Sequence, residues 1–378
     1  MSSDATNVAI VGVGWSDYKA LWAEKGVARS AYTLAADAYC AALEDAGLRK
    51  DEVDGLLCSR VEYARLADVL GMPHPLFIHD LESSGRMSGV ALQEAVALIS
   101  AGMANVVACV YGNNGRSVKQ KYGGEGGGPT AAYDEMYGMT SPGAYVAMMY
   151  RRYCGLYGVP DGALAPIAIN QRKNATLNPV AIFQEPLDVE KYMSSRYITE
   201  PLRLLDYCMI NDGGVAFIVT SMDRARTLRK RPVQVAASAG MGDLTNLYTS
   251  SDFFYHACHD VAGRVYKQSG LGPNDMNCLQ VYDNFMPTVL YTLDGFGYSP
   301  RGEAWQWVRE DRIALGGPRP VNTAGGHTSE SYMQGWGHIV EAVRQVRGEC
   351  GVRQVVDCEA VHYMAATPIT TSHVLVGK

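Results

Sequence analysis

Cysteine and histidine are the side chains that most often act as nucleophiles, bases and metal ligands, and their spacing here predicts none of these roles. The chain of 378 residues contains nine cysteines, an odd number, and none forms the C-x-x-C pair of zinc and redox sites. Most stand in apolar, strand-like runs, where a free cysteine behaves as a small buried hydrophobe. His256 and His259 lie three residues apart on a predicted helix, but no cysteine or carboxylate pattern completes a metal site around them. We therefore expect that the chain binds no metal and that no cysteine is essential.

Glycine-rich motifs for phosphate binding are also incomplete. Gly12 and Gly14 follow a predicted strand, as in dinucleotide-binding folds, but Asp17 stands where the third glycine belongs. The phosphate-binding motif G-x-x-x-x-G-K-[ST] does not occur, and neither does the G-x-S-x-G turn of α/β-hydrolases. These patterns exclude a nicotinamide cofactor and a serine nucleophile of the hydrolase type.

Composition narrows the class of protein further. Hydrophobic residues make up 47% and charged residues 19%, an ordinary globular balance that permits a large core. The net charge is −6 and no basic block stands out, so nucleic acid is not an expected partner. The first residues are polar and no apolar run approaches the roughly 18 residues of a membrane span. The sequence predicts a cytoplasmic protein that does not enter a membrane.

The strongest signal for the elements that position a site is an internal duplication. In the first half a helix pattern ends at Gly47 and leads into an apolar strand at 56–57. In the second half a helix pattern ends at Gly270 and leads into a strand at 279–282. An apolar strand precedes each copy, at 8–13 and at 233–237.

A second pair of segments repeats in the same order. Each carries Glu-Ala-Val on a helix, a glycine near the helix end and then a predicted strand. The members are Glu94, Gly102 and 105–110 in the first half, and Glu341, Gly348 and 353–356 in the second. Alternating strands and helices predict parallel or mixed sheets covered by helices. We divide the chain into residues 1–232 and 233–378, with the active site expected at the seam between the halves.

An insertion at about 113–205 separates the shared elements of the two halves. It opens with a glycine-rich stretch at 123–128 and then becomes rich in tyrosine and methionine. Such residues suit an adaptable lid or wall for a large apolar substrate. They suit a dimer interface or plain core equally well, and the sequence leaves the two readings open.

Several segments, which together cover nearly the whole chain, resemble the thiolase superfamily. Residues 211–217 look like the glycine-bearing strand that closes the first half of thiolases, and 321–326 look like their N-x-x-G-G turn. Residues 281–285 resemble the H-D-C-F segment of sterol-carrier-protein-like thiolases. The resemblance implies an α/β thiolase fold, with duplicated βαβαβαββ halves in a five-layer αβαβα arrangement.

The departures from thiolases fall on the catalytic positions. The place of the nucleophilic cysteine falls at 83–85, which reads Ser-Ser-Gly. Tyr332 stands where the activating histidine of the G-H-P motif belongs, and Tyr282 replaces the histidine of the H-D-C-F segment. The second, proton-shuttling cysteine falls around 362–364, again without a cysteine. When Glu94 is matched to Glu341 across the duplication, Gly85 corresponds to Tyr332, which supports this alignment independently.

This pattern is similar to the thiolase-like aldolases that cleave steroid side chains. The resemblance implies retro-aldol cleavage of a β-hydroxyacyl-CoA side chain from a bulky, steroid ring, which releases a short acyl-CoA such as propionyl-CoA and a ketone. It implies no covalent acyl-enzyme, and coenzyme A enters only as part of the substrate. It also implies a homodimer with an accessory zinc-ribbon and OB-fold domain of a hydratase, so that zinc belongs only to the partner. No cofactor is expected in this chain.

The two tyrosines suit this chemistry. A phenol can donate to a developing oxyanion, and a tyrosinate can act as a base if its pKa falls from about 10. Because the negative charge of Asp283 would raise the pKa of the adjacent Tyr282, we assign proton transfer to Tyr332 and enolate binding to Tyr282. Further candidates for substrate binding or positioning are Asn322, Gly326, His327, Asp283, His362, Ser84 and Gly85.

Two other functions remain open at this point. The first is an acyltransferase that uses another nucleophile such as Ser84, although no histidine partner for Ser84 is visible. The second is a non-catalytic carrier of acyl-CoA or sterol, or an inactive partner of another thiolase. Replacement of two catalytic histidines by two tyrosines, rather than by unrelated small residues, argues against loss of catalysis.

Overall fold

The computed structural model describes residues 6–25, 28–82, 85–121, 134, 136–244 and 249–377. The strands are β1 Val8–Trp15, β2 Gly55–Ser59, β3 Phe77–Leu81, β4 Val106–Asn114, β5 Tyr197–Thr199, β6 Leu202–Arg203, β7 Asp212–Ser221, β8 Val233–Gly242, β9 Cys278–Val281, β10 Ala360–Ala365 and β11 Ile369–Gly377. The α-helices are α1 Tyr18–Ala23, α2 Ala31–Ala46, α3 Tyr63–Leu70, α4 Met87–Ser100, α5 Pro142–Tyr157, α6 Ala165–Thr176, α7 Val189–Ser194, α8 Met222–Ala225, α9 Tyr255–Ser269, α10 Met286–Gly295, α11 Ala304–Trp307, α12 Gly326–Ser329 and α13 Trp336–Arg347. Within these ranges, none of the helices has both the length and the apolar character needed to cross a bilayer.

One mixed sheet runs through both halves of the chain. Its strand order is β3-β2-β4-β7-β1-β8-β11-β10-β9, so five strands of the first half adjoin four of the second. The two halves meet where β1 and β8 pair antiparallel, over the residue pairs Ala9–Gln234 and Ile10–Val233. Strands β5 and β6 form a separate small hairpin. The boundary predicted between residues 232 and 233 falls immediately before β8.

The helices lie in layers around this sheet. Helix α2 covers the outer face of the first half, where it packs on β1, β4 and β7. Helices α4 and α13 contact strands of both halves and form the central layer. Helices α9 and α10 cover the outer face of the second half. The expected αβαβα arrangement is confirmed. The sheets of the two halves are joined edge to edge and so form the single nine-stranded sheet.

The repeated glycines end their helices as predicted. Gly47 and Gly270 adopt left-handed φ angles of 71° and 70° at the ends of α2 and α9, a conformation that costs glycine little. Gly348 ends α13 in the same way, with φ of 76°. These local signals therefore place the helix boundaries of both copies correctly.

The prediction of a strand at 353–356 is wrong. A single 3-10 turn, Gly351–Arg353, occupies the start of this segment, and β10 begins only at Ala360. The guanidinium of Arg353 is buried against Glu341 of α13, and the Val355 N–H donates to the side chain of Gln345. Because α13 side chains bind this apolar stretch, its backbone does not pair with a strand.

The insertion contributes both core and cavity wall. Tyr150 and Tyr153 of α5 are buried in the outer hydrophobic cluster of the second half. Val146 and Met149 of the same helix line a cavity, whereas Met148 is exposed. The glycine-rich stretch at 123–128 lies outside the described residues.

Four glycines on three strands let α2 lie directly on the sheet. A β-carbon built on any of them would meet the helix backbone at far below contact distance. The distances from the added β-carbon to the nearest carbonyl oxygen of α2 are 2.2 Å for Gly12 (Ala42), 2.1 Å for Gly14 (Ala38), 2.2 Å for Gly112 (Ala31) and 1.9 Å for Gly214 (Leu34). The glycines that resemble a dinucleotide motif therefore serve helix–sheet packing.

We expect Gly14→Ala to lower the free energy of unfolding by about 1–3 kcal/mol or more, because α2 has to move off the sheet to admit the methyl group. The matched control is Gly263→Ala in α9, where a β-carbon meets nothing within 4 Å. That change should instead stabilise the helix by up to about 1 kcal/mol. Urea denaturation of both variants measures the difference, and equal stability of Gly14→Ala and the wild type would contradict the packing argument.

Candidate active site

The structure brings Tyr282 and Tyr332 together. Tyr282 directly follows β9, and Tyr332 lies between α12 and α13, fifty positions later in the chain. Their phenol oxygens lie 3.1 Å apart, within hydrogen-bond distance. Both side chains are buried and both line the same cavity. Tyr282 and Tyr332 therefore form one pair of hydroxyl groups.

Gly85 provides the space that this pair occupies. A β-carbon at position 85 would lie 1.6 Å from the Tyr282 phenol oxygen and 3.1 Å from that of Tyr332. A cysteine at position 85 and the observed position of Tyr282 are therefore mutually exclusive. Gly85 also stands just before α4, whose first N–H groups and helix dipole favour negative charge at this end. Ser84, the alternative nucleophile, lies outside the described residues.

The cavity beside the tyrosines has a volume of about 360 Å³, within the usual range for small-molecule sites. Asn284, Thr288 and Gln334 add polar groups near the phenols. Arg86 is the one charged residue in the described part of the lining. Its guanidinium lies 3.2 Å from Glu82. The apolar wall consists of Val146, Met149, Ile198, Ile210, Phe254 and Phe285. This distribution fits a largely apolar substrate with few polar groups.

Asn322 fixes the backbone that carries Tyr282. Its side-chain oxygen accepts from the Val281 N–H at 2.7 Å, and its side-chain nitrogen donates to the Val281 carbonyl at 2.9 Å. The Tyr282 N–H in turn donates to the carbonyl of Met364 in β10, at 2.8 Å. Asn322 is absent from the cavity lining and acts on the site through the backbone.

Tyr332 has a corresponding anchor that the sequence analysis did not identify. Its backbone N–H donates to the side-chain oxygen of Asn211 at 2.7 Å. Asn211 is buried and immediately precedes β7. The residue is part of the segment at 211–217 that resembles thiolases, but nothing in that segment connects it with Tyr332.

Asp283 is absent from the cavity lining and is fully buried. Its carboxylate accepts from Gln171 of α6 at 2.7 Å and from the His327 N–H at 3.0 Å. The Nε2 atom of His338 lies 2.8 Å from the carboxylate, and Nδ1 of His327 lies 2.9 Å from it. Gly326 permits this close packing, since a β-carbon there would lie 2.4 Å from the carboxylate.

These contacts determine the charges of the cluster. Burial by itself raises the pKa of the Asp283 carboxyl, but the imidazoles of His327 and His338 outweigh it and hold that pKa well below its usual range. Burial lowers the pKa of His327 to about 4, so its ring is neutral at pH 7.

The ligand atoms of Asp283, His327 and His338 lie within 4.8 Å of one another, as metal ligands do. Nε2 of His338, however, already forms a hydrogen bond with this carboxylate at 2.8 Å, and Nδ1 of His327 lies 2.9 Å from the same oxygen. The absence of a metal from this chain stays a prediction.

With this geometry in hand, comparison with known proteins identifies the family. The family description "Thiolase C-terminal domain-like" matches residues 239–376. The chain is 34% identical to the 17-hydroxy-3-oxo-4-pregnene-20-carboxyl-CoA lyase of Mycobacterium tuberculosis, over 98% of both proteins. It is 35% identical to the steroid side-chain-cleaving aldolase of Thermomonospora curvata, over 98% of this chain and 97% of that one. The chain belongs to the thiolase-like aldolases. The solved structure named "Ltp2-ChsH2(DUF35) aldolase" superimposes with a TM-score of 0.89 at 33% identity, covering 98% of each chain.

This membership confirms the expected fold and the expected enzyme class, a carbon–carbon lyase of thiolase ancestry. The cysteines of this aldolase are consistent with chemistry that does not use a thiol. All nine are free, and all lie in the described part of the chain. Cys208 is the one in the described cavity lining, and burial raises the pKa of its thiol. A thiol with a raised pKa is a poor nucleophile.

The structure does not bring His362 into the aldolase site. Its two ring nitrogens bind the hydroxyl groups of Tyr298 and Ser372, at 2.7 and 2.6 Å. Burial lowers its pKa to about 3. His362 is absent from the cavity lining and has the environment of a structural residue.

We expect Gly85→Ala to abolish the alignment of the aldolase's phenols and leave the fold intact. The added methyl group overlaps the Tyr282 hydroxyl and has to push it away from Tyr332. The methyl group would meet the far ends of two side chains and no backbone atom among its nearest neighbours, so the fold can absorb it. The turnover number should fall by about 10²-fold or more, as expected for a displaced catalytic group. Turnover within twofold of the wild type, measured as release of the acyl-CoA product, would contradict this.

Proposed function

We propose that the chain catalyses retro-aldol cleavage of a β-hydroxyacyl-CoA side chain from a bulky, steroid-like ring. The products are a short acyl-CoA, for which propionyl-CoA is the expected compound, and a ring ketone. The observation that carries this proposal is the pair of phenol hydroxyls, 3.1 Å apart, beside Gly85. The apolar wall of the cavity supports a bulky hydrocarbon as the rest of the substrate.

The relatives named above support the substrate class. The Mycobacterium tuberculosis protein is named for a steroid carboxyl-CoA, and the Thermomonospora curvata protein for cleavage of a steroid side chain. Identity of about one third over the full chain leaves room for a different ring system or side chain. We therefore propose that the substrate is of the same chemical type, a CoA thioester with a tertiary β-hydroxyl group.

The reaction moves one proton from the β-hydroxyl to the α-carbon, in two transfers, and needs one oxyanion site. A base removes the proton of the β-hydroxyl, the oxygen forms the ketone, and the electrons of the breaking carbon–carbon bond pass to the thioester as an enolate. Protonation of the enolate at its α-carbon then gives the acyl-CoA. We assign the proton transfer to Tyr332 and the donation to the enolate oxygen to Tyr282. A preorganised donor of this kind contributes roughly 2.7–4 kcal/mol to the transition state.

Replacement of either tyrosine by phenylalanine tests this assignment. Tyr282→Phe and Tyr332→Phe keep the ring and remove one hydroxyl, so the free energy of unfolding should fall by no more than about 0.5–1.5 kcal/mol. Turnover should fall by roughly 10²–10³-fold or more, and the two losses should not be additive because both groups serve one bond cleavage. The assay follows acyl-CoA release from a β-hydroxyacyl-CoA that bears a bulky ring, with the accessory subunit present.

A matched control for these variants is Tyr192→Phe. It removes a buried hydroxyl that donates to Asp206 at 2.7 Å, outside the described cavity lining. It should lower stability to a similar extent and leave turnover unchanged. If both active-site variants fold and keep near-normal turnover, the site assignment is wrong. A stable acyl adduct on Ser84 would then favour an acyltransferase, and binding without turnover would favour a carrier.

We also propose that the chain forms a homodimer and works with an accessory subunit. Strand β3 lies at the edge of the sheet, bound to β2 on one side, and its central residues are exposed. Such an edge is a natural site for pairing with a second chain. The name of the similar solved structure joins its aldolase with ChsH2(DUF35). A zinc-ribbon and OB-fold domain as this chain's partner stays a prediction, and so does a cytoplasmic location.

Light scattering of the purified chain should give about twice its mass of 41.0 kDa. The physical reason is that pairing at β3 would satisfy the backbone groups of an open sheet edge. Addition of the accessory subunit should raise the mass further without dissociating the dimer. A monomer at micromolar concentration would contradict the proposed assembly.

A further inference from the structure

We propose that His327 is a positioning residue of this aldolase, a neutral imidazole that is wedged against both phenol rings and sets their separation. The inference rests on the proposed role of Tyr282 and Tyr332. It adds a third ring to the site, one that does not touch the substrate.

The ring geometry is the first support. The centroid of the His327 ring lies 5.1 Å from that of Tyr282 and 5.0 Å from that of Tyr332. The interplanar angles are 77° and 89°, so the imidazole meets each phenol in an edge-on arrangement. Aromatic rings in this arrangement attract one another by about 0.5–1.5 kcal/mol a pair. Since the same imidazole contacts both rings, a shift of His327 changes the position of each phenol relative to the other.

A hydrogen bond on one side and a carboxylate on the other hold the imidazole in one orientation. The Gly335 N–H donates to Nε2 of His327 at 3.0 Å, so this nitrogen carries no proton. The proton of the neutral ring is therefore on Nδ1, which lies 2.9 Å from Asp283. The His327 N–H also donates to Asp283, so backbone and ring are tied to one carboxylate. Because Nε2 accepts from the Gly335 N–H and Nδ1 faces the Asp283 carboxylate, His327 exchanges no proton with the phenols and acts only through their position.

The surroundings of His327 keep its ring uncharged. A second proton would have to go on Nε2, directly opposite the Gly335 N–H, and would place a positive charge in a fully buried ring. The groups that face the ring are the two phenols, the Asp283 carboxylate and His338, whose ring centroid lies 4.3 Å away. His338 contacts the Asp283 carboxylate through its own Nε2 and is absent from the cavity lining.

The decisive test compares His327→Ala in two backgrounds. In the otherwise unchanged aldolase, with its accessory subunit, we expect kcat to fall by roughly 10–100-fold, as displacement of catalytic groups by about 1 Å does. The KM for the acyl-CoA substrate should stay within about threefold because His327 is absent from the cavity lining. In the Tyr332→Phe background, His327→Ala should lower kcat by less than about threefold, since one hydroxyl of the pair is already gone.

His362→Ala is the matched control. His362 is equally buried, binds side chains through both ring nitrogens, and meets Tyr266 and Phe296 edge-on at 5.6 and 5.4 Å. Its loss should reduce stability as much as that of His327 and leave kcat unchanged. If His327→Ala does not fold, His327→Gln, whose amide can still meet Asp283 and the Gly335 N–H, replaces it in both backgrounds.

Two results would overturn the inference. The first is an unchanged kcat in the folded His327 variant. The second is an equal loss of kcat with and without the Tyr332 hydroxyl, which would indicate a general structural effect. Failure of the proposed function is distinguishable, because Tyr282→Phe and Tyr332→Phe would then keep their turnover whatever His327 does.

Discussion

A single buried carboxylate, that of Asp283, holds the parts of the site together. A charge without contact with water is costly unless hydrogen bonds surround it. Here the donors come from three places in the chain: Gln171 on α6, His327 on α12 and His338 on α13. Because the charge requires all of them, their elements cannot move independently. The neighbour of Asp283 in sequence is Tyr282, so the charge that organises the cluster also fixes one end of the phenol pair.

The rest of the fold supplies rigid supports for that pair. Asn322 binds the last residue of β9 through two hydrogen bonds, and Asn211 binds the backbone of Tyr332. One anchor belongs to the second half of the duplication and the other to the first half, immediately before β7. The site therefore lies at the seam between the halves, where the central helices α4 and α13 contact strands of both.

Much of the architecture follows from local sequence. Apolar alternation and terminal glycines such as Gly47 and Gly270 mark the repeated strands and helices, because their period and φ angles are properties of a few consecutive residues. The pairing of Tyr282 with Tyr332 follows from the motifs of a known fold. The contact between Gln171 and Asp283, 112 residues apart, leaves no periodic trace in the sequence. The strand expected at 353–356 fails for a related reason, since a buried pair of Arg353 and Glu341 overrides the apolar pattern.

The overlap between position 85 and the Tyr282 hydroxyl also restricts how such a site can arise from a thiolase. A tyrosine at 282 in its present orientation has no room while any side chain occupies position 85, since even a β-carbon there would lie 1.6 Å from the phenol oxygen. A glycine at 85 has to be present for the Tyr282 hydroxyl to lie beside that of Tyr332. The glycine therefore has to be present no later than the tyrosine, which sets the order in which the two residues of this site can be acquired.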